Sequence, residues 1–512
     1  MNKQQKIDAS SRIAKNTIFL YLRMIVTMGI SLYTSRVILD ILGVEDFGIY
    51  NIIGGLVVLV SIISNCMTKA TQRFITFELG TGDLKQVNKA FSMSMIAHFF
   101  ICIFVLLLGE TIGLWLVNNE LNIPSERLNA ALWVYQFSLI TVCISLMRSP
   151  YNASLIAYEK MAVYAYMSII EVLLKLIIVF LLVFVSLDKL LIYGVLLLFS
   201  NLIIYYIYYY YCRKKFDACL FRFVFDKAYL KSIASYLGWN LLSSSTTAGT
   251  TQLSNIILNK FAGVTVNAAY GISMQVNSAI NSFVANFQVA FTPQIVKLIS
   301  QNKMNDFYHL SNTAALLSYY LLFIIAFPLF FNIDYVLNIW LVEVPDYSGI
   351  FCQLFIIYFL IDSMQAPLWI AIRATGNIKV YEIWQSIILS LNIPISIILL
   401  KAGAPVYWIL IIRVFFNLVT AIIRCIHVKI QLSYPILSYI KDVVLKIFTV
   451  TFLSLLVWIF IRHFVCVDSI IDFCIFYVLS IIFISLIIYF VGISEKQRLS
   501  INIFIKNKLH AV

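Results

Sequence analysis

The sequence predicts an all-α polytopic membrane protein with fourteen transmembrane helices. Of its 512 residues, 62% are hydrophobic and 12% are charged, and the mean hydropathy is +0.92. Soluble domains contain roughly 25% charged residues. The apolar residues fall in runs of about 20, the length that crosses a bilayer as a helix. A soluble chain of this length would need several cores separated by polar linkers, which the sequence lacks.

The spans follow one another with short loops. The first span is its own insertion signal, because residues 1–15 are polar and basic and the next apolar run is too long for a signal-peptide core. We place the spans at residues 16–39, 47–68, 91–117, 127–147, 161–186, 190–211, 232–259, 265–291, 307–331, 350–372, 380–400, 405–424, 442–461 and 469–491. The connection 212–231 alternates basic with aromatic residues, so we expect it to lie along the membrane surface.

The basic residues are unevenly divided between the two sides of this topology. With an inside N-terminus, the inside segments carry 27 Lys and Arg residues and the outside loops carry five. This asymmetry predicts that both termini are cytoplasmic. We assign the net charge of +13 to topology and to contact with anionic membrane lipids, and we expect no nucleic-acid partner.

The chain contains a partial internal sequence repeat at a spacing of 220 residues, which we call the echo. Segment 43–50 is repeated in part by 263–270, and identities continue with Ile52 and Ile272, Ala70 and Ala290, and Ile75 and Ile295. The echo maps spans one and two onto spans seven and eight. Because each half then has an even number of spans, six, we expect parallel repeats, which are related by an axis along the membrane normal. The predicted domains are a six-helix bundle at 1–211, a cytoplasmic interfacial linker at 212–231, a second six-helix bundle at 232–430, and two extra helices with a cytoplasmic tail at 431–512.

The echoed spans also carry polar side chains at helical spacing. Such stripes face protein or water, because lipid-facing surfaces are apolar. Helix–helix hydrogen bonding is the alternative for any single residue, whereas four stripes together favour a hydrated cavity between the halves. The candidate cavity residues are Thr27, Ser31, Asn51, Asn65, Asn240, Ser244, Thr247, Asn277 and Asn281.

Charged residues within the spans suggest what the cavity binds. Arg23 and Arg36 lie in span one, and guanidinium groups favour phosphate because they offer bidentate donors. Our hypothesis is that both attract the diphosphate of a substrate, although Arg36 could instead reach the outer headgroups. Glu171 and Lys175, at i and i+4, and Asp362 are candidates for ion coupling, although the first two could simply neutralise each other.

No constellation of catalytic or metal-binding residues is present in the sequence. The five histidines form neither HxxxH nor HExxH, and there is no Walker A sequence, GxSxG or paired-cysteine site. We therefore expect neither an enzyme nor a resident metal or cofactor. Transport would depend on an ion gradient, with H+ and Na+ both open, on the membrane potential or on the substrate gradient.

The segment from Ser35 to Asn51 resembles bacterial lipid-linked oligosaccharide flippases, of the O-antigen or capsule type. These belong to the MATE-like multidrug/oligosaccharidyl-lipid/polysaccharide (MOP) exporter superfamily. Further similarity lies in residues 70–74, 150–153, 157–161 and 374–377. The resemblance implies two six-helix bundles around a cavity that opens alternately to each side, and extra C-terminal helices that help form a groove for the lipid tail. It also implies flipping of undecaprenyl-diphosphate-linked oligosaccharide across the bacterial plasma membrane, with a polysaccharide polymerase and other export machinery as partners.

Three other functions are weighed against this one. A MATE-type antiporter of cationic drugs would need an acidic cavity, whereas the charge in span one is arginine. A membrane polysaccharide polymerase or ligase would be expected to have a large outer loop or an outer acidic site. A scaffold without transport would not need the polar stripes.

Overall fold

The computed structural model describes residues 3–119, 124–184, 186–341, 344–464, 470–495 and 497–498, and every regular element within these ranges is helical. The chain divides into two compact units. We call Asn16–Ser245 the N-terminal unit, and Thr246–Val512 with Met1–Lys15 the C-terminal unit. The four domains predicted above stay a prediction.

The N-terminal unit is built from the first six membrane helices of the chain and the start of the next. The helices are α1 (Lys3–Thr81), α2 (Leu84–Leu108), α3 (Leu114–Asn119), α4 (Leu128–Ala157), α5 (Met161–Val183) and α6 (Lys189–Lys215), followed by the beginning of α7 (Lys227–Ser300). A π-helical turn at Gly109–Gly113 joins α2 to α3. Gly109 and Gly113 pack directly against side chains of α4, and the hydroxyl of Tyr135 donates to the Gly109 carbonyl over 2.8 Å. Small residues at such contacts let membrane helices approach closely.

The C-terminal unit continues with the rest of α7 and eight further helices. They are α8 (Met304–Phe331), α9 (Ile333–Trp340), α10 (Ser348–Thr375), α11 (Lys379–Lys401), α12 (Trp408–Leu432), α13 (Ile436–Tyr439), α14 (Leu445–Phe464) and α15 (Ile470–Ile487). The last helices pack on α8: Tyr319 bonds Thr451 over 2.9 Å, and the ring of Phe331 stacks on Trp458 at 3.9 Å. The two extra C-terminal helices are thus fixed to one helix of the second half.

The order of helices repeats along the chain at the spacing seen in the sequence. Helices α2, α4, α5 and α6 begin at residues 84, 128, 161 and 189, and α8, α10, α11 and α12 begin at 304, 348, 379 and 408. Backbone geometry repeats too. Gly82 before α2 and Asn302 before α8 both have positive φ, +85° and +53°, a left-handed conformation that glycine and asparagine adopt most easily. The order of helices in the N-terminal unit is therefore repeated in the C-terminal unit.

Ten helical segments of the described chain are long and apolar enough to cross a membrane. The four remaining predicted spans lie in pairs within α1 and α7, which are continuous helices of 79 and 74 residues. The sequence predicts a turn at the centre of each, and α1 does bend back there. Arg23 of α1 reaches Ser168, and Ser64 of α1 reaches Ser149, both about two helical turns from the connection between α4 and α5. A straight helix would separate residues 23 and 64 by about 60 Å.

The linker segment, residues 216–226, is held against α2 of the N-terminal unit. Asn88 donates to the carbonyls of Ala218 and Leu220 over 2.9 and 2.6 Å, and Lys89 pairs with Asp226 over 2.7 Å. The bond from Lys89 lowers the pKa of Asp226, so the pair is charged at neutral pH. The exposed aromatic side chains of Phe221, Phe223 and Phe225 lie between these attachments.

Candidate functional site

A cavity of about 370 Å³ lies within the N-terminal unit, where α1, α4, α5 and α6 meet. Ligand cavities in proteins are typically about 300–1,000 Å³, so this one can hold a small group or part of a larger substrate. Asn65 of α1 and Asn201 of α6 contribute amides to its wall, and Tyr50 contributes a phenol. Asn65, which was predicted to line a cavity, does line one. Several of the other polar residues in its wall were not predicted.

Helix α4 supplies a polar stripe to this wall. Ser138, Thr141, Ser145 and Arg148 all line the cavity and are spaced three, four and three residues apart, which puts them on one helical face. This stripe was not predicted from the sequence, and the fourth predicted span ends at residue 147, one residue before Arg148. In the structure α4 continues through Pro150 to Ala157, so Arg148 stays inside the helix.

The charged residues of the cavity share a single carboxylate. Arg148 donates to one oxygen of Glu171 over 3.0 Å, and Lys175 donates to the other over 3.2 Å. The guanidinium of Arg148 also lies 5.5 Å from the ring of Tyr208, within range of a cation–π interaction. Two cations and one anion leave this cluster with a net charge of +1. The predicted pair Glu171 and Lys175 exists, and Arg148 is the member that sequence reasoning did not find.

Arg23 lies beside this cluster on the neighbouring face of α5. Its Nη1 donates to Ser168 over 3.4 Å, and its guanidinium covers the ring of Tyr164 at 4.5 Å. Ser168, Glu171 and Lys175 occupy one side of α5 at helical spacing. Arg23 is therefore about one helical turn from the carboxylate that holds Arg148 and Lys175.

The other predicted residues of α1 have varied surroundings. Thr27 donates its hydroxyl to the Arg23 carbonyl over 2.8 Å, and Ser31 is exposed. The side chains of Arg36 and Asn51 lie outside the described residues.

The predicted residues of α7 are divided between the two units. Asn240 is buried, and Ser244 accepts a hydrogen bond from the thiol of Cys66 over 3.3 Å. The polar face of α7 therefore contacts α1 within the N-terminal unit. In the C-terminal unit Thr247 and Asn281 are exposed, and Asn277 donates to the sulfur of Met274 over 3.3 Å. Of the predicted α7 side chains described in the structure, none lines the cavity.

Asp362, the coupling candidate of the second half, is bound within a compact network. Arg424 donates to it over 3.0 Å and also bonds Gln365 and Tyr381, each over 2.9 Å. The guanidinium of Arg424 is buried within α12, which continues to Leu432, beyond the predicted span end at residue 424. Burying a charge is costly unless it is paired and hydrogen-bonded, so this network stabilises the helices α10, α11 and α12 against one another.

The described part of the chain has no group of three or more His, Cys, Asp or Glu side chains that could hold a metal ion. Its polar cavity instead offers donors and a surplus of positive charge. Such an arrangement of groups can bind a polar or anionic group.

The fold has close counterparts among solved structures of membrane transporters. A MATE crystal structure in the bent conformation has a TM-score of 0.73 and 13% identity, over 85% of this chain and 98% of that chain. An outward-facing multidrug resistance MATE family transporter of the MOP superfamily gives 0.67 and 11%, over 83% and 96%. A MOP superfamily transporter from Pyrococcus furiosus, described by a reversed polarity of its binding pocket, gives 0.69 and 12%, over 83% and 96%. The chain thus has the MATE-like fold predicted for it.

Residues 13–299 match the family described as polysaccharide biosynthesis protein. The chain belongs to this family. The polysaccharide biosynthesis family and the MATE-like fold agree with the resemblance found in the sequence, and ten described helices are long and apolar enough to span a membrane. A search of curated proteins finds no match.

Proposed function

We propose that the protein flips a lipid-linked oligosaccharide, joined through a diphosphate to an undecaprenyl carrier, by alternating access. The observation that carries this proposal is the positive surplus of the cavity, where Arg148 and Lys175 share the one carboxylate of Glu171. The family relation to polysaccharide biosynthesis supports a saccharide cargo. The Ser, Thr and Asn side chains of the cavity wall suit the hydroxyl groups of a sugar.

The charges favour an anionic cargo over the cationic drugs of a MATE-type antiporter. A diphosphate would accept hydrogen bonds from Arg148 and from Arg23, whose guanidinium groups match the spacing of phosphate oxygens. A cationic drug would meet a cluster with a net charge of +1 in a site of low dielectric constant, where like charges repel strongly. The polar groups act by binding and orientation, and we infer no enzymatic step and no cofactor.

We further propose that Glu171 couples transport to H+ or Na+. A phosphate bound at Arg148 would compete with Glu171 for the guanidinium, and the displaced carboxylate could then take up a cation. Asp362 remains the alternative coupling residue. Its engagement with Arg424 over 3.0 Å makes it the less accessible of the two.

The distribution of Lys and Arg supports a location in the bacterial plasma membrane with both termini in the cytoplasm. Flipping would then run from the inner to the outer leaflet. The product would be delivered to a polysaccharide polymerase and other export machinery on the outer side, and membrane lipids would surround the helices.

Deletion of the gene in a strain with no redundant flippase tests the function. Lipid-linked oligosaccharide should accumulate on the inner leaflet, and surface polysaccharide should fall below about a tenth of its normal amount. Expression of the intact protein should restore both, measured by lipid extraction and by staining of surface glycan. Normal surface glycan in the deletion strain would refute the proposal.

A further inference from the structure

Bonds to α2 attach the linker segment at even-numbered residues. The backbone N–H of Arg222 donates to the hydroxyl of Ser92 over 3.1 Å. The carbonyls of Ala218 and Leu220 and the carboxylate of Asp226 form the bonds to α2 described above. These bonds to one helix hold the backbone of the segment in a fixed orientation.

The odd-numbered positions among these attachments carry three phenylalanines that the described part of the chain leaves uncovered. Phe221, Phe223 and Phe225 are 52%, 79% and 58% exposed. Three exposed aromatic side chains within five residues are unfavourable in water, because each keeps a large apolar area hydrated. Together they form an apolar patch of the kind that marks an interaction surface.

The attachments also fix the depth of this patch relative to the membrane. Asn88 and Ser92, which bond the segment, lie on either side of residue 91, where the apolar run of α2 begins. At 1.5 Å per residue, both lie within about 5 Å of that boundary along the helix axis. The phenylalanines therefore lie at the level of the lipid headgroups, where interfacial aromatic side chains enter the boundary with the acyl chains.

Cations surround the patch in excess of anions. The range 213–231 contains six exposed basic side chains, which are Arg213, Lys214, Lys215, Arg222, Lys227 and Lys231. Its carboxylates are Asp217 and Asp226, and Asp226 is already paired with Lys89 over 2.7 Å. Clusters of four to eight basic residues beside a membrane helix are typical of surfaces that bind acidic lipids.

We propose that residues 213–231 form a binding surface for anionic phospholipids of the leaflet at this end of the helices. The rings of Phe221, Phe223 and Phe225 enter the boundary between headgroups and acyl chains, and the six cations contact headgroup phosphates. The depth of the patch favours lipid over a soluble protein as its occupant, and the charge favours acidic lipid over neutral lipid. This inference goes beyond the proposed function, because it requires a membrane but no particular cargo.

Hydrogen–deuterium exchange of the full chain in nanodiscs tests the surface. One set of discs contains phosphatidylcholine alone, and the other also contains phosphatidylglycerol. The amides of residues 221–226 should exchange at least about threefold more slowly in the anionic discs, because bound lipid reduces local opening. Replacement of the six cations by Gln should abolish this difference. Replacement of the three phenylalanines by Ser should accelerate exchange in both kinds of disc, because apolar rings insert into neutral lipid as well.

Two variants at the predicted outer ends of helices are the matched controls. Lys401→Gln removes an exposed cation from the end of α11, and Phe184→Ser removes an exposed aromatic ring from the end of α5. Neither variant should alter the exchange of residues 221–226 in either kind of disc.

Equal exchange of residues 221–226 in the two kinds of disc would overturn the proposal, and so would a difference that survives the loss of all six cations. Fast exchange in both would equally reject lipid and favour a soluble partner for the patch. If the multiple variants do not fold, Arg222→Gln and Phe223→Ser decide, and exchange identical to the wild type in both would refute the surface. Failure of the gene-deletion test would reject the cargo and leave this outcome unaffected.

Discussion

Three arginines within the helices have different partners, and these differences cannot be read from the residue type. Arg148 shares Glu171 with Lys175, whereas Arg424 is buried in a network with Asp362. Arg413 has aromatic neighbours and no carboxylate partner in the described chain. The first arrangement exposes charge to a cavity, the second links three helices, and the third holds a guanidinium among aromatic rings and hydroxyl groups.

Replacement of Glu171 by Gln should uncouple transport from its driving ion. The amide cannot take up a proton and is a poorer ligand for Na+, so an imposed ion gradient should no longer accelerate flipping, while downhill flipping should persist. We expect the stimulation by a gradient to fall at least about tenfold, the range of a single general acid–base or ion-binding group. The measurement is flipping of a fluorescent lipid-linked oligosaccharide in proteoliposomes with and without H+ or Na+ gradients.

Glu110→Gln is the matched control for this experiment. It makes the same chemical change at an exposed carboxylate that bonds Gln136 over 3.2 Å, away from the cavity. Gradient stimulation should be unchanged in this variant. Equal stimulation in Glu171→Gln and the wild type would exclude Glu171 as the coupling residue and direct attention to Asp362.

The presence of a helix was predictable wherever the sequence has a long apolar run. The residues at which each helix begins and ends were harder to predict. The helices α2 to α6, α8, α10 to α12, α14 and α15 overlap the predicted spans because about 20 apolar residues admit no other form in a membrane. The ends were misjudged at Pro150, which α4 passes through. In a packed bundle, neighbouring helices can compensate for the hydrogen bond that proline removes.

The linker segment is held in place by side chains of α2 that lie far from it in sequence. Asn88 holds two of its carbonyls, and Lys89 holds Asp226 by charge. Alternation of basic and aromatic residues predicted a surface segment but gave no indication of the helix that anchors it. That anchoring depends on side chains 130 residues away in sequence, which local pattern cannot reveal.

Substitution of Asn88 by Ala should loosen the linker segment. Two carbonyls lose their donor, so the backbone around Arg222, which is exposed, should open more often. Trypsin should cut after Arg222 several-fold faster than in the wild type, as local opening controls cleavage. Mass spectrometry of the fragments in detergent solution measures the rate.

The Gln86→Ala variant serves as the comparison for the linker experiment. Gln86 lies in the same first turn of α2, and its side chain is exposed. Its cleavage rate should match that of the wild type. An Asn88→Ala protein as resistant as this control would mean that the contacts to Ala218 and Leu220 do not hold the segment.

At the scale of the whole molecule, the fold is a repeat whose two copies have diverged at the site. The echo of segment 43–50 and the regular starts of the helices were accessible to sequence reasoning, since the sequence echo is spaced 220 residues apart and the helix starts 218 to 220 residues apart. The stripe from Ser138 to Arg148 could have been found by its helical period. The place of Gly194 in the cavity wall could not, because it depends on how α4 and α6 pack against each other.

The position of Gly194 at the cavity wall predicts that the size of residue 194 controls transport. A Cβ at Gly194 would lie 3.2 Å from a ring carbon of Phe137 and 3.4 Å from a methyl of Val134, so alanine needs only a small adjustment. Gly194→Ala should therefore keep transport within about threefold of the wild type. Gly194→Leu adds a branched side chain at the cavity wall, and overpacking costs about 1–3 kcal/mol. We expect flipping to fall at least tenfold in proteoliposomes. The unfolding temperature of each variant separates a blocked cavity from a protein that no longer folds, and full activity of a stable Gly194→Leu protein would show that cargo does not pass through this cavity.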